Sequence, residues 1–170
     1  MNKDILLALD QASAVSGYAI FEDGKLIKHG TFSVDDEKIA TRLVKIKKNV
    51  LELISNFNVT RVALEDIQLQ KNVETYKALA QVLGVLTETL EEQKIPYEIV
   101  YSSSWKSNLR ITGSKRQEQK RNAQKYVLET YGIKTTQDAC DAICIGTHIL
   151  KPITGLSWTD WLKKTIIFSN

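Results

Sequence analysis

Long apolar runs are missing from this 170-residue chain, and nothing in it has the length of a membrane span. The start, MNKDILLALDQ, has too short an apolar run and an acid inside it, so it makes a poor signal peptide. These two absences lead to the expectation of a cytoplasmic protein. There are two prolines and eight glycines, with no low-complexity tract and no repeat, so no linker divides the chain. One domain spanning 1–170 is expected, at a size that buries a real core. Cys140 and Cys144 are the only cysteines, four apart on one predicted helix. With no further cysteine or paired histidine they make no zinc site, and two buried thiols are the plain reading. Histidine is scarce too. His148 is expected in the core or supporting a site, and His29 falls in a predicted strand with no role.

Charge is present but unevenly placed. The formal net charge is only +3. Between Ser102 and Tyr126 there are seven bases and one acid: Lys106, Arg110, Lys115, Arg116, Lys120, Arg121 and Lys125 against Glu118. That local excess of +6 leaves −3 for the rest of the chain. A basic segment on an acidic body is a footprint of phosphate-backbone binding, although a solvated helix face gives the same pattern.

Periodicity predicts the order βββ-α-β-α-β-α-α. Strands are expected at 4–10, 17–22 and 25–33, with Asp23-Gly24 closing a hairpin between the last two. Helical spacing runs over 37–57, 73–93, 115–131 and 136–150, with strands at 60–66 and 97–101. This order predicts a mixed sheet carrying helices. The 73–93 helix carries apolar residues around well over half its circumference, more than one-sided packing needs. It is central in the core or shared with a second copy, and a two-fold dimer is the preferred expectation.

Acids close two of the strands: Asp10 the first, Glu65 and Asp66 the fourth. Asp138 and Asp141 stand three apart at the start of the last helix, hence on one face. Taken singly, each has a plainer explanation: a turn residue, a strand-end acid, or a helix cap, for which Thr135 and Thr136 are also available. If that helix packs over the strand ends, Asp10, Glu65, Asp138 and Asp141 converge. Four anions together need cations, and all-oxygen ligation favours Mg²⁺ or Mn²⁺. Two such ions roughly 3.5–4 Å apart are the phosphodiester-cleaving arrangement.

Three stretches, LALDQASAVSGYAIF (7–21), VALEDIQLQKN (62–72) and TTQDACDAICIG (135–146), resemble the RuvC-type Holliday-junction resolvases of the RNase H-like superfamily, in order and spacing. The match covers roughly residues 5–150. The resemblance implies an α/β RNase H-like fold with a five-stranded mixed sheet, acting as a homodimer. It implies metal-dependent, paired nicking of four-way DNA junctions. It places the catalytic and metal-binding acids at Asp10, Glu65, Asp138 and Asp141, and DNA contacts at Lys71, Asn72 and Lys106 and within the basic stretch after Gly113, at Lys115 or Lys120. Arg110, Arg116 and Arg121 join them from the charge pattern.

Two departures qualify the resemblance. The usual Asp-Pro-Gly is Asp10-Gln11-Ala12 here, and a junction-wedging aromatic is replaced by Gln68, followed by Leu69. A relaxed, structure-selective, phage-type enzyme is the expectation, with action on other branched DNA. Trp105 either stacks on DNA or anchors the basic loop, and anchoring is favoured. Tyr76 could stand in for the missing aromatic but fits the apolar stripe better. Residues 151–170 form a C-terminal extension outside the match, in which Trp158 and Trp161 are expected to pack on the body or on a partner chain.

Other readings stay open. An RNA–DNA hybrid nuclease could work as a monomer. A sugar-kinase or actin-like ATPase would need two lobes. A non-cleaving junction binder would have no need of all four acids.

Overall fold

The computed structural model describes residues 3–69 and 71–151; Trp158 and Trp161 lie outside them. The elements in order are β1 (Ile5–Asp10), β2 (Val15–Glu22), β3 (Lys25–Ser33), α1 (Ile39–Phe57), β4 (Arg61–Glu65), α2 (Val73–Glu92), β5 (Tyr97–Val100), α3 (Ser102–Asn108), α4 (Arg116–Tyr131) and α5 (Gln137–Leu150). The sheet order is β3-β2-β1-β4-β5. The first three strands are antiparallel neighbours, while β4 runs parallel to β1 and β5 parallel to β4. This is the expected five-stranded mixed sheet. Asp23 and Gly24 both take positive φ, 47° and 80°, as a two-residue hairpin turn between right-twisted strands requires.

Strand alternation sorts the side chains into two cores. Leu7, Leu9, Ile20 and Leu64 face one way and pack on α1 and α2 through Ile46, Val50, Val82, Leu86 and Leu90. Ala8, Ala19 and Ala63 face the other way, against Ala142, Ile143 and Cys144 of α5. Small residues on that central face let α5 settle close, and Ala139–Thr147 is buried throughout except at Asp141. Asp10 follows Ala8 by two and Glu65 follows Ala63 by two. Both acids therefore belong to the α5 face.

One sequence expectation needs correction. The segment after β5 is not an open basic loop: Ser102–Asn108 forms α3. Four serines and one lysine gave no apolar period, and the turn is held instead by two buried anchors four apart, Trp105 and Leu109. Trp105 anchors, as favoured from the sequence: it is 1% exposed, which leaves no ring face for stacking on DNA. Helix α2 buries Val82, Leu86, Thr89 and Leu90, while Ala78, Leu79, Ala80, Leu83 and Val85 stay half-buried and Val73 is 61% exposed.

Candidate active site

The last helix is seated by a glycine. Gly17 of β2 pairs directly with Asp10 of β1. A Cβ on Gly17 would lie 1.9 Å from the Asp138 carbonyl oxygen and 2.7 Å from the Ala139 nitrogen. The first turn of α5 thus rests on bare backbone beside Asp10. Thr136 caps this helix, its Oγ1 accepting from the Ala139 N–H at 3.3 Å. The capping role weighed for the acids is already filled, which leaves Asp138 and Asp141 for other work.

Asp10, Glu65, Asp138 and Asp141 line one cavity of about 500 Å³. Lys106, Arg116 and Lys120 line it as well. A second depression, bounded by Lys115, Lys120 and Arg121, shares Lys120 with the first. The basic residues of α4 therefore run outward from the acidic centre. Arg110 is exposed beyond the end of α3, with a left-handed backbone at φ 56°, and does not line either cavity. Lys71 and Asn72 are exposed at the start of α2. The Asn72 side-chain oxygen accepts from the Glu74 and Thr75 N–H groups, so that atom serves as a helix cap.

The carboxylates share one electrostatic field. Burial pushes Asp10 well above the ordinary carboxylate range, and the charges of Glu65, Asp141 and Asp138 push it further, with Lys120 opposing. Burial likewise raises Glu65, against the Trp105 hydrogen bond and the charges of Lys106 and Arg116. Asp141 is raised to about 6, by burial first and then by the charge of Glu65; the Gln137 hydrogen bond, Lys106 and Lys120 pull it back. An all-oxygen set of half-buried, mutually repelling carboxylates is the donor chemistry of a hard divalent cation. The acids line the cavity without closing on a point: among the described residues no group of three or more His, Cys, Asp or Glu side chains is arranged to hold an ion. Two of the four are already engaged. Trp105 Nε1 donates to Glu65 Oε1 at 2.8 Å, and Gln137 Nε2 donates to Asp141 Oδ1 at 2.7 Å.

The contacts made by several neighbours of the site were not legible in the sequence. Gln11 is buried and hydrogen-bonds the main chain of Glu65 through both ends of its amide. Ser102 Oγ accepts from Lys106 Nζ at 2.9 Å and from Gln68 Nε2 at 2.8 Å. Gln11 stood out only as a departure from a family pattern, and its partner lies 54 residues away. His148 is half-buried, with Nδ1 2.9 Å from the Asn108 side-chain amide, in keeping with a core or supporting role.

Comparison with known proteins places these features. The family model described as crossover junction endodeoxyribonuclease RuvC matches residues 6–148. The chain is 27% identical over 149 residues to the protein of that name from Photorhabdus laumondii, covering 85% of this chain and 86% of the relative. It is 28% identical over 172 residues to the one from Mannheimia succiniciproducens, covering 95% and 86%. Among solved structures, T. thermophilus RuvC in complex with a Holliday junction substrate superposes with a TM-score of 0.70 at 17% identity, over 85% of this chain and 91% of that one. The Fowlpox virus resolvase, bound to Holliday junction DNA, gives 0.60 at 13% identity, over 86% and 96%. These superpositions establish the shared fold, and the family model goes further: the chain belongs to the RuvC family of crossover junction endodeoxyribonucleases.

Proposed function

We propose that this protein resolves four-way DNA junctions by metal-dependent nicking of two opposed strands. One observation carries the reading: in a RuvC-family chain, carboxylates from β1, β4 and α5 line a single cavity whose rim is lysine and arginine. Asp10, Glu65, Asp138 and Asp141 would hold the ions, Mg²⁺ or Mn²⁺ and two per site. When bound, such ions activate a water for in-line attack on phosphorus and stabilise the departing 3′ oxygen. The chain's residues supply the remainder. Lys106, Arg116 and Lys120 draw the phosphate backbone over the acids, and Lys115 and Arg121 extend that track along α4. Lys71 and Asn72 reach the duplex arms from the loop before α2, where the Asn72 amide nitrogen remains able to donate while its oxygen caps the helix. Arg110 adds a peripheral phosphate contact.

Paired nicks need two sites on opposed strands, and a homodimer through α2 supplies them. The half-buried and exposed apolar residues of that helix support this assembly. Relaxed sequence choice, of the phage type, follows from the junction-facing loop. Gln68, at the position of the family's wedging aromatic, bonds Ser102, and Leu69 beside it is aliphatic and 86% exposed. Residues 1–170 act as a single nuclease domain, working in the cytoplasm of the cell that holds the DNA. Among the described residues, no helix is long and apolar enough to cross a membrane.

The test is cleavage of an end-labelled four-way junction beside linear duplex and an RNA–DNA hybrid, with Mg²⁺, Mn²⁺ or EDTA. Symmetric nicks on the junction alone, abolished by EDTA, are expected. Cleavage of the hybrid in preference to the junction would overturn the substrate assignment.

A further inference from the structure

Glu65 is held more firmly than any other acid of the site, and by two residues outside the carboxylate set. Gln11 is 7% exposed and directly follows Asp10. Its side-chain Nε2 donates to the Glu65 carbonyl oxygen, and its Oε1 accepts from the Glu65 N–H at 3.2 Å. The backbone register of β1 with β4 ends at the pair Leu9 and Leu64. Beyond that pair the Gln11 amide takes the part of a peptide unit and continues the ladder to Glu65. The main chains carrying Asp10 and Glu65 are thereby fixed relative to each other.

Trp105 acts on the other end of the same residue. Its indole N–H can only donate, and a buried indole requires an acceptor. The acceptor is Glu65 Oε1, at 2.8 Å. The ring is itself fixed, 1% exposed within the α5-side core and with Lys106 Nζ 5.1 Å from its centroid. One carboxylate oxygen is thus tied to a rigid donor, and Oε2 is left as the ligating atom. For comparison, the hydrogen bond to Asp141 comes from Gln137, a residue of the same helix four positions earlier.

We propose that Gln11 and Trp105 are positioning residues that preset Glu65 for a divalent cation, Gln11 through its main chain and Trp105 through its carboxylate. The inference rests on the reading of Glu65 as a metal ligand. Neither residue touches the reacting atoms. Their effect is on the rotational freedom that the carboxylate loses when it ligates, and removal of such supporting bonds typically weakens metal binding about 10–100-fold.

The experiment uses the full chain and Mn²⁺ as the probe. Free Mn²⁺ is measured by electron paramagnetic resonance for wild type, Trp105→Phe, Gln11→Met and Glu65→Gln, alongside junction cleavage across a Mn²⁺ series. Trp105→Phe keeps an aromatic ring in the core and loses the donor; Gln11→Met keeps the length and loses both bonds. Each is expected to raise the Mn²⁺ concentration for half-saturation about 10-fold, in binding and in cleavage alike, with the rate recovered at saturating Mn²⁺. Unchanged Mn²⁺ binding in a folded Trp105→Phe or Gln11→Met would reduce these residues to core packing and overturn the inference. A rate loss that saturating Mn²⁺ does not restore would overturn it as well. If Trp105→Phe does not fold, Gln11→Met, at the edge of the core, decides alone. Glu65→Gln separates the two levels: if it binds Mn²⁺ and cleaves normally, the ligand role of Glu65 fails, whatever the other variants do.

Discussion

Gly17→Ala adds one methyl group at the point where the sheet meets α5. The new Cβ would sit 1.9 Å from the Asp138 carbonyl oxygen and 2.2 Å from its carbonyl carbon, where real contacts do not fall below 3.0 Å. Both neighbours are backbone, so no side chain can swing aside. The start of α5 must therefore retreat by about 1 Å, taking Asp138 and Asp141 away from Asp10, which pairs with Gly17. Overpacking of this kind costs about 1–3 kcal/mol. In a chain of this size each kcal/mol lowers Tm by roughly 2–4 °C. The catalytic loss should be larger in proportion, because a misplacement of about 1 Å costs roughly 100-fold in rate. Single-turnover cleavage of a labelled junction at saturating metal, with calorimetry on the same samples, measures both. A variant with unchanged Tm and unchanged rate would show that α5 is not seated on Gly17, and the convergence of the four acids would lose its structural basis.

Asp10→Asn should abolish cleavage and leave junction binding intact, since it removes a ligand and a repelling charge together; full activity would refute the metal site. Asp141 supplies a pH signature. Its folded value of about 6 lies above the ordinary 3.8, so the stability it contributes is present below 3.8 and is lost as pH rises through about 6. In EDTA the wild type should therefore lose about 1–3 kcal/mol relative to Asp141→Asn across that window, and Mg²⁺ should restore it near neutral pH by binding the charged form; parallel melting curves for the two proteins would contradict this. Lys106→Ala should weaken binding to all DNA sequences alike and flatten the log–log salt dependence by about 0.9; a change confined to particular cut sites would argue against a phosphate contact. Tm should rise with protein concentration if α2 is shared between two copies, and a monodisperse monomer in light scattering would count against that assembly.

The sheet was legible because its signals are local. Short apolar runs, the Asp23-Gly24 turn and the acids at the strand ends need no knowledge of distant residues. The i, i+3 pair Asp138 and Asp141 was legible for the same reason, and Thr136, one of the two candidate caps, settles why those acids are not needed for capping. Helix α3 was hidden because its stability comes from tertiary burial of Trp105 and Leu109 rather than from any period in SSSWKSN. The roles of Gln11 and Trp105 were hidden because each depends on a partner 54 or 40 residues away, brought close only by the parallel register of β1 with β4 and by the packing of α3. Gly17 was visible only as one residue of the stretch LALDQASAVSGYAIF. Its function there is space, and space is legible only once α5 lies on it.

The most direct test of the central claim is to treat a supercoiled plasmid bearing an extruded cruciform with the wild-type protein and Mg²⁺, and to separate the products on a gel. Two coordinated nicks across the junction convert supercoiled DNA straight to linear, and linear DNA without accumulation of nicked circles is the predicted result, lost in Asp10→Asn. Nicked circles as the sole product, or linear DNA still formed by Asp10→Asn, would contradict a paired, carboxylate-centred resolvase.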